Sequence, residues 1–183
     1  IFNIEKKHLK AFTAYNKFTK ERLHILKSNA PDSAWLEQIE KKIAVCAYEI
    51  IEYRQAAISK INTNLSLISL PFNSCINELN YEDTLKITSD ISEFTFDYEN
   101  TLFKNRTIDK ETNRTLVGPN KVEVKMWKLD DRSIEAKYCS TGEQKSILIS
   151  IILSVAQIIK NSDFAKPPII LIDEAMAHLD HYH

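Results

Sequence analysis

Apolar residues return at steps of three and four through the first third of the chain, which predicts two helices joined by a short turn. From Ile4 to Leu26 there is no Gly or Pro, and Leu9, Phe12, Tyr15, Phe18, Arg22 (by its stem) and Ile25/Leu26 fall on one face. Ser28-Asn29-Ala30-Pro31-Asp32-Ser33 is a cluster of turn formers in which Asp32 or Ser33 can cap the next helix. That helix is longer and is expected from about Ala34 to Leu67. Its Leu36, Ile39, Ile43, Cys46, Ile50, Tyr53 and Ala57 form a heptad seam of about three repeats. A short turn between such helices implies antiparallel packing, so residues 4–67 read as a helical hairpin. Its stripes are core, or else an exposed coiled-coil arm that reaches a partner.

Pro71 and the polar run after it end this part. Thr84-Leu85-Lys86-Ile87-Thr88 alternates like a short strand, and Ile91 to Asn105 reads as another amphipathic helix. Val122 to Leu129 alternates apolar and charged residues, a half-buried strand. Asp130-Asp131 is the turn after it, and Ser133 to Tyr138 is expected to return as a second strand. A helix of 20 residues is expected from Gly142 to Asn161. Pro167-Pro168 then breaks the chain before Ile169-Ile170-Leu171-Ile172, which is apolar on both faces and suits the centre of a covered, parallel sheet. The pattern as a whole is α/β: a sheet with packed helices beside a helical hairpin.

Composition narrows the chemistry. The chain has 183 residues, 44% of them hydrophobic, with a formal net charge of −1, enough apolar material for one domain or two small ones. Charge neutrality means that any basic footprint for nucleic acid must be local. Only two glycines are present, Gly118 and Gly142. They lie too far apart for a Walker A loop or a G-x-G-x-x-G turn. Cys46, Cys75 and Cys139 are odd in number and widely spaced, which favours reduced thiols. The longest apolar stretch, Ile147 to Ile159, holds Ser150, Ser154 and Gln157 and is too short for a membrane span. With no secretory pattern, a cytoplasmic location without membrane contact is expected.

The strand expected at 169–172 runs directly into Asp173-Glu174. Adjacent acids at the end of a buried strand are costly unless a cation meets them. One solution is Mg²⁺ on nucleotide phosphates, with Asp173 toward the metal and Glu174 polarising water, a Walker B arrangement. The bland alternative is an acid that ends an α/β strand for structural reasons. Upstream, Ser140-Thr141-Gly142-Glu143-Gln144-Lys145 opens the long helix. Ser140 with Glu143 makes a capping box, and a hydroxyl, a glycine and a helix N-terminus also make a site for phosphate. Ala177-His178-Leu179-Asp180 comes after the acids.

This order of turn, helix, apolar strand, Asp-Glu and Leu-Asp is similar to that of ABC-type ATPases. The Ser-Thr-Gly-Glu-Gln-Lys variant of the signature resembles the RecF family of the SMC/Rad50-like branch. Arg114-Thr115-Leu116-Val117-Gly118-Pro119 resembles the family's Arg-Thr-x-x-Gly-Pro block, and the hairpin with Trp35-Leu36 and Arg54 resembles its helical lid. The resemblance implies a partial ATPase head at 113–183 and a lid or arm domain at 1–112. It implies ATP and Mg²⁺ as cofactors in a complete protein, Glu174 as catalytic residue and Asp173 as Mg²⁺ ligand. Residues Ser140, Thr141, Gly142, Glu143, Gln144 and Lys145 would bind ATP held by the opposite subunit of an ATP-dependent homodimer, with Asp180 at the interface. The partners implied are DNA at single-strand/double-strand junctions and gaps, and the RecO and RecR mediators. Asn120-Lys121-Val122-Glu123 departs from the family's His-Arg-x-Asp, so a bidentate fork and an imidazole are replaced. Arg114 and Lys121 are candidate contacts to DNA or nucleotide. The missing Walker A implies a carboxyl-side piece of a longer protein, inactive alone.

Three weaker features complete the reading. His178, His181 and His183 with Asp180 lack the other ligands of a metal site. Lys104, Arg106, Lys110, Arg114, Lys121 and Lys125 form a basic stretch interrupted by Asp109, Glu111 and Glu123, more a solvated face than a DNA path. Trp35 and Trp127 are expected to pack rather than stack on bases. The rival to an ATP-driven clamp is a non-catalytic interaction module that binds a partner through the hairpin.

Overall fold

The computed structural model describes residues 6–67, 75–81, 85, 87–128, 134–162 and 167–171. They form two compact units, Ile1–Arg54 with Tyr81–Glu123 and Gln55–Asn80 with Val124–His183. The elements in chain order are α1 (Lys6–Lys27), α2 (Ser33–Leu67), β1 (Cys75–Tyr81), α3 (Ile91–Lys104), α4 (Arg106–Thr112), β2 (Val122–Lys128), a 3₁₀ turn (Ala136–Tyr138) and α5 (Thr141–Lys160). The described part is mainly helical, with one two-stranded sheet in which β1 pairs with β2.

In the first unit, α1 and the start of α2 form the expected hairpin. Asp32 caps α2, its Oδ1 accepting the Trp35 amide at 3.0 Å. Arg22 pairs with Glu40 and Lys42 lies over the Phe18 ring, so position falls along one helix as it rises along the other, the mark of antiparallel packing. Of the expected seam, Leu36, Ile39, Ile43, Cys46 and Ile50 are buried as the spacing requires, Tyr53 is half-buried, and Cys46 is a free thiol. On α1 the buried face is shifted: Leu9 is 54% exposed, while His8, Ala11, Tyr15 and the whole of Arg22 are buried. Trp35 is 52% exposed, so it does not fill the core as expected. α3 starts at Asp90, whose carboxylate accepts from the amides of Ser92 and Glu93. It buries Phe94, Tyr98 and Leu102 against the hairpin. The short α4 has no counterpart in the pattern-based expectation. Leu85 is buried in the same core with non-strand backbone, so the strand expected at 84–88 does not form at its described residues, Thr84 and Lys86 lying outside them. The strand falls instead at β1, in the polar run after Pro71, where backbone pairing with β2 outweighs a weak side-chain pattern.

In the second unit, the end of α2 buries Ala57, Ile61 and Leu65. α5 is tied to it by Ser154, whose Oγ donates to the Ile61 carbonyl at 3.3 Å, and by Asn64, whose Nδ2 donates to Ser154 Oγ at 3.0 Å. α5 as a whole is long and apolar enough to cross a membrane by length and composition, which its apolar stretch alone is not. Its buried residues are Ser146, Ile147, Ile149, Ser150 and Ser154, the last bonded to α2. Among the described residues after β2, the chain returns with one antiparallel bridge, Trp127 with Glu135, before the 3₁₀ turn, so of the second strand expected to Tyr138 the described residues 134–138 form a single rung. Asp130, Asp131 and Ser133 lie outside the described residues. Residues 167–171 carry no strand, and Ile169 and Leu171 are 88% and 93% exposed. The covered parallel sheet expected there is absent from the described residues, because a two-sided apolar strand becomes central only with neighbours on both edges.

Candidate functional site

Two loops carry the residues singled out by the sequence, one in each unit. In the first unit, the segment from Arg114 to Lys121 is held from below by buried side chains of four helices. Arg22 is fully buried. Its Nε donates to Glu40 Oε1 at 2.8 Å, its Nη1 to Asp109 Oδ2 at 2.7 Å and its Nη2 to the Leu102 carbonyl at 2.6 Å. Arg106 joins the cluster through Glu40 Oε2 at 2.6 Å. Two cations and two carboxylates therefore neutralise one another in the core, with every oxygen of Glu40 and Asp109 engaged. Asp109 Oδ1 accepts the Leu116 amide at 2.9 Å, which ties the loop to this cluster.

Three more contacts fix the loop. Tyr98 donates to the Val117 carbonyl at 3.0 Å. Its single proton being used there, Tyr15 donates to Tyr98 across 3.1 Å. Burial pushes the Tyr15 hydroxyl up to about 12 and raises Tyr98 well above its ordinary value, so both stay protonated donors. Arg54 donates from Nη1 to the Pro119 carbonyl. Gly118 has φ +154°, and a Cβ there would lie 2.1 Å from Tyr15 Oη and 2.9 Å from Tyr98 Oη. The glycine is needed because two tyrosine hydroxyls occupy the place of a side chain. Arg114 and Lys121 line a cavity of about 320 Å³ above this platform, together with Lys20.

In the second unit, the turn before α5 forms as its sequence requires. Ser140 is the N-cap, its Oγ accepting the Glu143 amide at 3.3 Å, and Glu143 Oε2 accepts the Ser140 amide at 2.9 Å. Ser140 Oγ also lies 3.0 Å from Glu143 Oε2. Lys128 on β2 reaches the other oxygen of Glu143 at 2.9 Å. The hydrogen bond from Lys128, then those from Ser140, lower Glu143 to about 2. Gln144 donates to the carbonyls of Lys137 and Cys139 at 3.1 and 3.0 Å, closing the turn against the 3₁₀ segment. Thr141, Gln144 and Lys145 line a cavity of about 510 Å³ with Met126, Lys137 and Leu148. Gly142 stands in the first turn of α5, where unpaired amides and the helix dipole favour an anion.

Other sequence candidates fare differently. Asp173, Glu174, Asp180 and the three late histidines lie outside the described residues. The described residues hold no cluster of metal-ligating side chains. The basic stretch from Lys104 to Lys125 is not one surface: Arg106 is spent on Glu40, whereas Arg114 and Lys121 share a cavity with Lys20 from α1. Sequence reasoning does not reach Lys20, Lys128 or the Arg22–Asp109 cluster. Their partners lie far along the chain, and only the unusual Arg at an apolar helix position hints at them.

The fold has counterparts of known structure. It superposes on the solved recombination mediator protein RecF–ATPrS of the RecFOR pathway with a TM-score of 0.74, at 23% identity, covering 97% of this chain and 48% of that one. The corresponding RecF–ATP structure gives a TM-score of 0.74 at 24% identity. Among curated sequences, the DNA replication and repair protein RecF of Rickettsia prowazekii (strain Madrid E) is 34% identical over 98% of this chain and 49% of its own length. That of Rickettsia felis is 31% identical over the same shares. No family model matches. The likeness to RecF read from the signature turn and the Arg-Thr-Leu-Val-Gly-Pro block is thus borne out over nearly the whole chain. The chain spans about half the length of the curated relatives it matches.

Proposed function

We propose that this chain is the carboxyl-side half of a RecF-type clamp, which closes on ATP between two copies and acts on DNA at gaps and junctions during replication and repair. The observation that carries the reading is the signature turn. Ser140 stands at the N-terminus of a long helix, held by Glu143 and Lys128, in a chain 34% identical to a RecF protein. A helix N-terminus with a hydroxyl and a glycine fits a phosphate, because its free amides and dipole stabilise negative charge without reorganising. ATP supplies the phosphates that two such surfaces clamp, so binding closes the dimer and hydrolysis releases it.

Within that scheme Ser140, Thr141 and Gly142 present donors to the phosphate held by the opposite copy. Glu143 and Lys128 keep the turn in place, and Gln144 locks it to the segment before it. Lys145 adds positive charge at the same end. Asp173 and Glu174 take the metal-facing and water-polarising roles in the reading by resemblance, and Asp180 the interface role. RecO- and RecR-type mediators are the protein partners on this reading, in a cytoplasmic setting. Its two parts are the lid or arm at 1–112 and the head portion at 113–183. A stand-alone hairpin module is the weaker account, since the likeness to RecF runs over 98% of the chain rather than stopping with the hairpin.

The test uses the complete protein that contains this sequence. Glu174→Gln is expected to slow ATP hydrolysis while leaving an ATP-bound dimer detectable by light scattering; unchanged turnover would remove Glu174 from its role. The 183-residue chain alone is expected to show no ATP hydrolysis, having no Walker A loop. Turnover by the pure chain that disappears in Asp173→Ala would overturn that expectation.

A further inference from the structure

We infer that Asn64 is a positioning residue for the signature turn: by holding Ser154 it sets the register of α5 along the end of α2, and with it the place of Ser140 at the other end of α5. The inference deepens the clamp reading and rests on it for what the turn does. The mechanical link itself lies wholly within the second unit.

The two halves of α5 are held differently. The first buries Ser146, Ile147, Ile149 and Ser150, whereas from Ile151 to Lys160 Ser154 is the sole buried residue. At that point the contact with α2 is polar. Asn64 Nδ2 donates to both the carbonyl and Oγ of Ser154 at 3.0 Å, one hydrogen to each. Ser154 Oγ gives its own proton to the Ile61 carbonyl at 3.3 Å. These bonds close a ring between the two helices. Apolar packing has no preferred direction and tolerates sliding; hydrogen bonds are directional, so the ring fixes both the height and the rotation of α5.

Packing does not take over beyond it. Beside Asn64 the helices part over a cavity of about 340 Å³, whose lining includes Ser59, Thr63 and Leu67 of α2 and Ile158 and Asn161 of α5. Leu67, the apolar residue of α2 best placed to fill it, is 78% exposed. Ser140, the N-cap of α5, stands about 21 Å along the helix from Ser154. A hydrogen-bonded helix acts as a rod over such a length, so a slip at Ser154 displaces the turn. The Lys128–Glu143 pair and the two bonds from Gln144 are made at that same end and would feel the slip. A misplacement of about 1 Å at a reacting site costs on the order of a hundredfold. If Asn64 only added stability, its loss would lower the melting temperature and leave the turn where it is.

The experiment uses Asn64→Leu, which keeps the size of the side chain and removes both donors, and Asn64→Gln, which keeps the amide and has the neighbouring cavity for its added methylene. In the complete protein that contains this sequence, light scattering reads the ATP concentration at half-maximal dimerisation, and equilibrium dialysis reads the ATP affinity of the dilute monomer. Asn64→Leu is expected to raise the first about tenfold and to leave the second unchanged, because the turn meets ATP only from the opposite copy. Asn64→Gln is expected to recover most of the loss. In the 183-residue chain, NMR titration should find Glu143 above its value of about 2 in Asn64→Leu and at that value in Asn64→Gln. Ser154→Ala breaks the ring but keeps the carbonyl bond; it is expected to move both readouts the same way by less, and it decides the matter if Asn64→Leu does not fold. Dimerisation with the ATP dependence of the unmodified protein, or an unmoved Glu143, overturns the inference. So does a parallel fall in monomer ATP affinity, which would mean that the residue acts on the fold as a whole. The clamp reading fails separately. If the unmodified protein does not dimerise on ATP, that reading falls, while the Glu143 titration still decides whether Asn64 sets the register of α5.

Discussion

The two loops are held in place in opposite ways. The Arg114–Pro119 segment is fixed by side chains that arrive from α1, α2, α3 and α4, and those side chains are buried. The turn at Ser140 is fixed mainly by its own neighbours within three residues, plus Lys128, and it is largely exposed. A loop held by distant buried groups is inseparable from the fold around it. A turn held by local caps can change partners without disturbing the core. The first kind suits a fixed docking point, and the second suits a surface that must meet a ligand presented from outside.

The largest effect is expected where the first loop is anchored. Arg22→Ala leaves Glu40 and Asp109 buried and short of a cation, a class of change that costs about 3–5 kcal/mol. Urea denaturation of the chain should show a loss of that size. A loss near zero would mean that the four-residue cluster is no anchor. Replacing Gly118 with Ala is expected to cost about 1–3 kcal/mol, since its Cβ would strike Tyr15 Oη at 2.1 Å. Removing that hydroxyl in a Tyr15→Phe background should reduce the penalty. Tyr98 would still reach the Val117 carbonyl there. A double-mutant cycle with no coupling would place the cause of the glycine elsewhere.

The next effect separates the units by pH. His8 is buried in α1, and burial first, then the Arg54 charge, lower it to about 4 from an ordinary 6.5. The folded chain then binds fewer protons than the unfolded one between those values. The stability linked to His8 is complete above about pH 6.5 and is lost as pH falls toward 4. Glu143 is lowered from 4.5 to about 2, so its contribution is complete above 4.5 and fades only below that. Acid should therefore loosen the first unit before the signature turn. Hydrogen exchange at pH 5 should show α1 amides less protected and α5 amides unchanged; in His8→Leu the α1 difference should vanish.

What can be read from the sequence divides along the same line. Local devices are legible: the Asp32 cap, the Ser140–Glu143 box, the heptad seam of α2 and the limits of α5 all depend on residues within one or two turns. The signature turn is visible for that reason. The clamp under Gly118 is legible only as a rare glycine in a suggestive block, because Tyr15 and Tyr98 lie far from it in the chain. β1 is hidden, since pairing with β2, rather than its own alternation, makes it a strand. The run at 169–171 goes the other way. Its apolar pattern promises a central strand, but burial is a property of neighbours, and the described residues supply none to cover Ile169 and Leu171.

The smallest expected effect is the one that best distinguishes a cap from a switch. Lys128→Met removes the cation from Glu143, while the methionine keeps the apolar stem on β2. Because Glu143 and Lys128 are both partly exposed, at 27% and 16%, the pair is screened, and the loss of stability should stay below about 1 kcal/mol. The electrostatic effect is larger in kind. Without the Lys128 hydrogen bond, the first cause of its shift, Glu143 should move from about 2 back toward the ordinary carboxylate range while keeping its two bonds from Ser140. Carbon-detected NMR titration of the glutamate carboxylates would read this directly. If Glu143 does not move, Ser140 alone holds it, and Lys128 has no part in the turn. If Glu143 moves and the α5 amides stay protected, the charge on the turn can be altered without unfolding it, which is what a surface meeting a nucleotide phosphate in trans requires.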